Sequence, residues 1–130
     1  MLALLYQLKE YTNAFKQWEE GFTTPQQILL RKFIQLVNNF YIEKRTIEEY
    51  AAMMNVTANY LSQSVKAASD KNALSFINER LLDEAKSIIQ FTDLDIAEIA
   101  YQLNFSDPAN FGKFFKKHTN QTPLEFRRSK

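Results

Sequence analysis

One predicted helix, residues 58–67, carries polar side chains that suit contact with nucleic-acid bases. Asparagine and glutamine can form paired hydrogen bonds with N6 and N7 of adenine, serine can pair with several bases, and lysine can bind a phosphate. The candidates are Asn59, Ser62, Gln63 and Lys66, at the spacing i, i+3, i+4, i+7 of one helical face, with Thr57 in the turn before them. By itself the pattern fits either a DNA-contacting face or an ordinary solvated face, and we expect DNA contact on the strength of the motif described below.

A second predicted helix, residues 108–118, has a smaller and more basic outer face. Alanine can pack against a thymine methyl group, asparagine and lysine can hydrogen-bond bases, and further lysines can hold phosphates. The candidates are Ala109, Asn110, Lys113, Lys116 and Lys117, followed by Thr122 at the next helix start, where free backbone N–H groups suit a phosphate. We expect the first helix to carry most of the sequence readout and the second mainly to anchor the protein.

The second reading helix needs a turn and a partner helix before it, and the sequence encodes both. Asp95 is predicted to cap the partner helix, with Glu98 as a capping-box carboxylate. Asn104 is predicted to end that helix in left-handed backbone, and Asp107 with Pro108 to start the next one. The predicted inward faces are Ile96, Ile99, Ala100 and Leu103, then Phe111, Phe114 and Phe115, with His118 at the end of the phenylalanine seam.

A similar unit comes earlier, at residues 46–67. Thr46 and Glu49 predict another capping box, and Asn55 lies in the predicted turn. The predicted inward face consists of Ile47, Tyr50, Ala51, Met54, Leu61 and Val65. When the two units are aligned, matching residues lie 49 positions apart before the turn and 50 apart after it. This weak internal duplication indicates two helix-turn-helix units.

Two longer helices are predicted to hold these units. One begins at a Thr24–Gln27 capping box, runs to about Tyr41, and has a predicted buried face of Ile28, Leu29, Phe33, Leu36, Val37 and Phe40. The other, residues 74–91, would span roughly 27 Å at ~1.5 Å per residue. Successive major-groove faces of DNA lie about 34 Å apart. A stiff helix of that length can therefore hold two reading helices about one DNA turn apart.

The stretch IAEIAYQLNFSDPANFGKFFKKHTNQTPLEFR closely resembles the signature of the AraC/XylS transcription regulators. The matching positions are Ile96, Ala97, Phe105, Ser106, Phe111, Phe115, Lys116, Thr122, Pro123, Phe126 and Arg127. Asn104 and Asn120 stand where the family usually has glycine. Because asparagine tolerates positive φ better than most residues, we expect unchanged turns at a modest cost in stability. The resemblance covers about residues 25–128.

The resemblance implies an all-α fold with two helix-turn-helix subdomains, homeodomain-like in their helical arrangement, joined by a long linker helix. We accordingly expect subdomains at residues 23–72 and 92–130, with the linker helix at 73–91. It also implies sequence-specific binding of double-stranded promoter DNA by two recognition helices in successive major grooves, more often as an activator, with RNA polymerase as a further partner. Asn59, Ser62 and Gln63 match the family's base-reading positions. Gln63 stands where arginine is frequent, so we expect less dependence on guanine there.

The first 22 residues carry an apolar seam with two open interpretations. Leu4, Leu8, Tyr11, Phe15 and Trp18 follow a heptad-like spacing. In the family, a sensor and dimerisation domain precedes the DNA-binding part. The segment therefore fits the end of a missing upstream domain or the connecting helix, and a homodimer through residues 1–20 or through that domain is a candidate. The alternative is that this helix folds back onto the core of the same chain.

Composition narrows the class of protein. A chain of 130 residues without cysteine has no disulfide framework and no thiolate metal site. No signal peptide pattern or membrane-length apolar run is present, so we expect a cytoplasmic protein without membrane contact. The net charge is only +1, but residues 104–130 carry six basic and two acidic side chains, whereas residues 1–103 carry ten and thirteen. Positive charge therefore collects around the second reading helix, where it would suit phosphate binding. Without the motif, an asymmetry this mild fits a solvated helix face better.

The sequence contains no constellation typical of catalysis. His118 has no partners for a catalytic or metal role, and the acidic set Glu79, Asp83 and Glu84 fits a solvated helix face better than a metal site. We therefore expect no enzyme activity, no metal and no cofactor. The competing class is a helical protein-interaction module without DNA binding. The low net charge and the small surface residues Pro108, Ala109 and Gly112 favour that alternative.

Overall fold

A computed structural model describes residues 24–129, and all regular structure in that range is helical. The helices are α1 (Pro25–Phe40), α2 (Ile47–Met53), α3 (Ala58–Ser69), α4 (Ala73–Phe91), α5 (Ile96–Gln102), α6 (Pro108–Thr119) and α7 (Pro123–Arg128). This confirms the predicted fold of two helix-turn-helix units, α2–α3 and α5–α6, joined by the long helix α4. None of these seven helices has both the length and the apolar character needed to cross a membrane. The prediction for residues 1–22 lies outside the described range.

The helix starts are fixed by local capping, mostly as the sequence predicts. At α1, Thr24 Oγ1 accepts the Gln27 N–H at 3.1 Å, and Gln27 Oε1 accepts the Thr24 N–H at 3.2 Å. The Thr46–Glu49 box at α2 is likewise present. The predicted box at α5 is wrong: Asp95 has extended backbone at the cap position, but its side chain forms no capping hydrogen bond. Two carboxylates in one box repel each other, which explains the difference from the threonine boxes.

Asparagine and aspartate provide the left-handed backbone at the sharp turns. Among the described residues, positive φ outside glycine occurs at Asn55 (57°), Asp70 (62°), Asn104 (64°) and Asn120 (63°). The expectation that Asn104 and Asn120 replace the usual glycines without changing the turns is confirmed. Short polar side chains tolerate this conformation because they hydrogen-bond locally.

The core of residues 24–129 consists of two hydrophobic clusters that share α4. The N-terminal cluster contains buried Leu30, Phe33, Val37, Tyr50, Ala51, Leu61, Val65, Ala73 and Ile77. The C-terminal cluster contains buried Leu81, Ala85, Ile89, Ile99, Ala100, Leu103, Phe111 and Phe115. Helix α4 therefore contributes its first half to one cluster and its second half to the other, so it joins the two units through packing as well as through the chain.

The predicted buried face of α1 is partly wrong. Ile28 is 38% exposed, while Leu30, which was not predicted, is 6% exposed. The buried line follows Leu30, Phe33 and Val37, and Ile28 lies about 200° around the helix from Leu30 at ~100° per residue. Phe40 is 36% exposed because it is the last residue of α1 and lies outside the cluster.

The internal duplication predicted from the sequence extends to hydrogen bonds. Ser69 Oγ donates to Val65 O at 2.6 Å at the end of α3, and fifty residues later Thr119 Oγ1 donates to Phe115 O at 2.8 Å at the end of α6. The two reading helices therefore end in the same way. Each is followed by a left-handed residue and a capped helix start.

Candidate nucleic-acid interface

Helix α3 is held in place by its apolar side, which leaves its polar side accessible. Leu61 and Val65 are fully buried against the N-terminal cluster, and Thr57 Oγ1 caps the helix by accepting the Tyr60 N–H at 3.0 Å. On the opposite face, Asn59, Gln63 and Lys66 are exposed and Ser62 is half-buried, while Thr57 is exposed at the start of the helix. Four of the five side chains predicted from the sequence thus lie on one face of α3, and Thr57 lies at its start.

Gln63 lies in a shallow groove where α3 meets the start of α1. The groove has a volume of about 240 Å³ and is lined by Gln26, Tyr60, Gln63, Ser64 and Ala67. Its polar lining is suited to hydrogen bonds, and Tyr60 is 43% exposed beside it. The sequence pattern identified Gln63 but missed Gln26 and Tyr60, because only the packing of α1 on α3 brings Gln26 to this position.

Lys66 has a structural partner in addition to its predicted role. Its ammonium Nζ donates to Asp70 O at 2.7 Å, at the left-handed end of its own helix. Cations stabilise helix C-termini in this way. A phosphate bound by Lys66 would therefore replace or share this hydrogen bond.

Helix α6 is fixed by its phenylalanine seam. Phe111 and Phe115 are fully buried, and Phe105 from the turn packs against Phe111 with ring centroids 5.1 Å apart. The side chains predicted to contact DNA all lie on the exposed face: Ala109, Asn110, Lys113, Lys116 and Lys117. Gly112 lies between them, and a Cβ atom added there would have no neighbour within 4 Å.

Asn110 is oriented by the turn that precedes it. Its backbone N–H donates to Asp107 Oδ1 at 2.8 Å, which caps α6, and its side-chain Nδ2 donates to Ser106 Oγ. The side-chain carbonyl oxygen still has acceptor capacity for a base or a backbone group of DNA. The hydrogen bond to Ser106 therefore holds the side-chain nitrogen of Asn110 and leaves the side-chain oxygen for DNA recognition.

The start of α7 differs from the arrangement expected for a phosphate site. Thr122 Oγ1 accepts the Glu125 N–H at 3.1 Å, and Glu125 Oε1 accepts the Thr122 N–H at 2.8 Å. These hydrogen bonds lower the pKa of the Glu125 carboxyl, so a carboxylate occupies the helix start. The sequence prediction required free amides here, but two are bonded within the box and Pro123 has none.

Arg127 has a role that local sequence patterns did not reveal. Its guanidinium donates from Nε to Ile89 O at 3.0 Å, from Nη1 to Leu94 O at 2.7 Å and from Nη2 to Thr92 O at 3.2 Å. It thereby ties α7 to the end of α4 and to the loop that enters α5. Arg127 is the last residue that matches the family signature. The match singled out this arginine but did not indicate which groups it binds.

Other titratable side chains form no recognisable chemical centre in the described range. His118 was expected to pack at the end of the phenylalanine seam. Its ring centroid lies 4.8 Å from that of Phe114, yet the residue is exposed. Within residues 24–129, no group of three His, Asp or Glu side chains is arranged to hold a metal ion.

Comparison with known proteins gives consistent matches. The family model described as a helix-turn-helix domain matches residues 50–129, which is more than half of the chain. YdiP of Escherichia coli (strain K12), described as an uncharacterized HTH-type transcriptional regulator, is 26% identical over 127 residues, covering 98% of this chain and 41% of its own length. This chain thus spans about two fifths of that relative.

Solved structures match the fold. A regulator from Chromobacterium violaceum, described as AraC-type DNA-binding domain-containing, superimposes with a TM-score of 0.69 at 23% identity, covering 79% of this chain and 92% of that one. The DNA-binding domain of AdpA, a global transcriptional factor solved in complex with a target DNA, has a TM-score of 0.68 at 15% identity, covering 77% and 90%. At these identities the likeness establishes the shared fold.

Proposed function

Because the chain belongs to the AraC/XylS family of helix-turn-helix, DNA-binding transcription regulators, we propose that it inserts α3 and α6 into successive major grooves of promoter DNA. The observation that carries this proposal is the pair of capped helices whose apolar sides are buried and whose predicted contact residues are accessible. Helix α4 has 19 residues, about 28 Å at ~1.5 Å per residue. That length is compatible with grooves about 34 Å apart.

Helix α3 is proposed as the main sequence reader. Asn59 and Gln63 are exposed amides that can pair with adenine, and Ser62 beside them can accept or donate. Thr57 and Lys66 lie at the two ends of the helix, where the DNA backbone passes, and are proposed as phosphate contacts. With Gln63 in place of an arginine, we expect a weaker preference for guanine at the base that this side chain contacts.

Helix α6 is proposed mainly as an anchor. Ala109 is small enough to approach a thymine methyl group, and Asn110 and Lys113 supply the hydrogen-bonding groups of this face. Lys116 and Lys117 are proposed to bind phosphates. At Thr122, a phosphate would have to displace the Glu125 carboxylate, so we expect this contact to be the weakest of the set.

Roles for the other segments of the chain follow from the family's usual architecture. Residues 23–72 and 92–130 would act as the two DNA-binding subdomains around the linker at 73–91, and residues 1–22 as the end of, or connection to, an upstream sensor or dimerisation domain. We propose that promoter binding activates transcription through contact with RNA polymerase. We also propose that the protein acts in the cytoplasm. The family's usual architecture supports these points.

Salt-dependent binding to duplex DNA tests the proposal. Neutralising the three phosphates proposed for Lys66, Lys116 and Lys117 would give a slope of about −2.7 for the logarithm of the binding constant against that of salt concentration. Fluorescence anisotropy with a labelled random duplex measures it, and Lys116→Ala should reduce the slope by about 1. A helical interaction module without DNA binding would give no salt-dependent association.

A further inference from the structure

The loop between α1 and α2 contacts the second helix-turn-helix unit directly as well as through α4. Tyr41 contacts both hydrophobic clusters, and the neighbouring Ile42 packs against the C-terminal one. The guanidinium carbon of Arg80, in the middle of α4, lies 4.2 Å from the centroid of the Tyr41 ring, while Arg80 Nη1 lies 3.5 Å from Glu84 Oε2. The first half of this loop is therefore held against the linker helix and the second cluster.

Arg45 makes the longer-range contact. Its guanidinium carbon lies 4.6 Å from the centroid of the Phe105 ring, which belongs to the turn between α5 and α6. Phe105 in turn packs against Phe111 and Phe114 of α6, with centroid distances of 5.1 and 5.4 Å. A cation–π contact thus joins the α1–α2 loop to the seam that positions the second reading helix.

The backbone of Arg45 is fixed to the first unit. Its N–H donates to Glu49 Oε1 at 3.1 Å within the capping box of α2, and the carbonyl of Lys44 accepts from the Tyr50 hydroxyl at 2.9 Å. Arg45 therefore connects the cap of one helix-turn-helix unit with the turn of the other. Both ends of this connection lie outside α4.

Stability alone is a poor explanation for an arginine at this position. Arg45 Nε and Nη2 are buried without a hydrogen-bond partner, and burial lowers the pKa of the guanidinium. Burying unpaired charged donors is unfavourable, and an apolar side chain of similar length would avoid the cost. A planar guanidinium stacked on a ring does, however, fix the relative orientation of the two partners.

We infer that residues 41–45 form an orientation brace in which Arg45 acts as a positioning residue that sets the angle between α3 and α6. Helix α4 joins the two units along one axis, and a second contact away from that axis further resists rotation of one unit against the other. The inference rests on the proposed function, because orientation matters for two reading helices on one duplex. The brace makes the protein selective for the spacing of its two DNA segments.

The first test is made without DNA. The chain has no cysteine, so Ala67→Cys on α3 and Lys117→Cys on α6, both exposed, allow two spin labels whose separation is measured by electron paramagnetic resonance. We expect one narrow distance distribution in this background and a broader one after Arg45→Ala. Glu43→Gln, which removes a charge from the same loop at an exposed position, is the matched control and should keep the narrow distribution. Equal widths with and without Arg45 would overturn the inference.

The second test uses a duplex selected by the unmodified chain. Inserting one base pair between its two segments turns one against the other by about 34° and moves it by about 3.4 Å. We expect a loss of roughly tenfold in affinity, the size of one mismatched pair. For Arg45→Ala and Arg45→Met the loss should shrink to about threefold or less, because the units can rotate to meet the altered site.

The outcomes separate the two proposals. If the unmodified chain binds no duplex, the proposed function fails while the spin-label distances still decide whether the brace exists. If it binds but Arg45→Ala and Arg45→Met keep the full spacing penalty, the brace does not set specificity. Thermal unfolding of both variants tests whether they fold, and Arg45→Met, which keeps a long apolar side chain, is the variant to use if Arg45→Ala is too unstable.

Discussion

At the scale of single residues, Asn104 illustrates how one backbone angle constrains the choice of side chain. With φ at 64°, this position is strained for most L-residues but not for glycine. Asn104→Ala should lower the free energy of unfolding by about 1 kcal/mol, whereas Asn104→Gly should change it by less than ~0.5 kcal/mol. Urea denaturation measures both. An alanine variant as stable as the glycine variant would show that the turn does not depend on left-handed backbone.

Single substitutions should also separate sequence readout by α3 from anchoring by α6. Gln63→Ala should change the bases preferred by the protein, because a bidentate base contact discriminates by about 1–3 kcal/mol. Lys116→Ala should instead weaken all sites alike, since a phosphate contact carries no sequence information. Binding-site selection from random duplexes distinguishes these effects. The opposite pattern would assign readout to α6 and anchoring to α3.

Local residue chemistry was predictable from the sequence where the cause is local. The turns at Asn55 and Asn104 and the box at Thr46 involve groups within a few residues, so propensity alone identifies them. Arg127 and Arg45 were not predicted as structural residues, because their partners are distant: Arg127 bonds carbonyls 33 to 38 residues away. No periodicity in a single sequence encodes such a pairing.

At the scale of elements, the cap of α2 makes folding sensitive to acid. Glu49 Oε1 accepts from the backbone N–H of Arg45 and from the backbone and hydroxyl of Thr46, and these bonds lower the pKa of the Glu49 carboxyl below its ordinary 4.5. The ionised form is thus favoured in the folded state. Its contribution to stability is present above pH ~4.5 and is lost as the pH falls through the lowered pKa.

Replacing that carboxylate tests the effect. Glu49→Gln should reduce stability at pH 7, because the charge-assisted hydrogen bonds become neutral ones, and should lessen the decline in stability below pH ~4.5. Chemical denaturation at a series of pH values measures both effects. Parallel profiles for the variant and the unmodified chain would mean that another carboxyl dominates acid unfolding.

Elements differ in how well their buried faces can be predicted. In α6, Phe111 and Phe115 are buried as their spacing predicts, because no large apolar side chain lies on the outer face of that helix. In α1 the apolar residues surround much of the helix, so Ile28 and Leu30 could not be ranked by period alone. Which of them is buried depends on where α3 and α4 lie, and that is tertiary information.

At the scale of the molecule, the last helix is joined to the linker through Arg127. Arg127→Ala removes three hydrogen bonds from a charged group to backbone carbonyls and should lower the free energy of unfolding by about 2–3 kcal/mol. Arg128→Ala, the exposed neighbour, is the control and should change it by less than ~0.5 kcal/mol. Thermal or urea unfolding provides the measurement. Similar losses for both variants would show that the three bonds are not important for stability.

The overall architecture was predictable because it repeats. Offsets of 49 and 50 residues align the caps, turns and buried positions of the two units. The long helix α4 between them is then the element that joins the two units. The relative orientation of the units was not predictable, because it depends on contacts such as Arg45 with Phe105 that join distant parts of the chain.

Hydroxyl-radical footprinting on a duplex selected by the purified chain tests whether two reading helices occupy successive major grooves. We predict two protected segments whose centres lie about 10 base pairs apart on one side of the duplex. Lys116→Ala and Lys117→Ala together should weaken one segment more than the other. A single protected segment, or two on opposite sides of the duplex, would contradict the account.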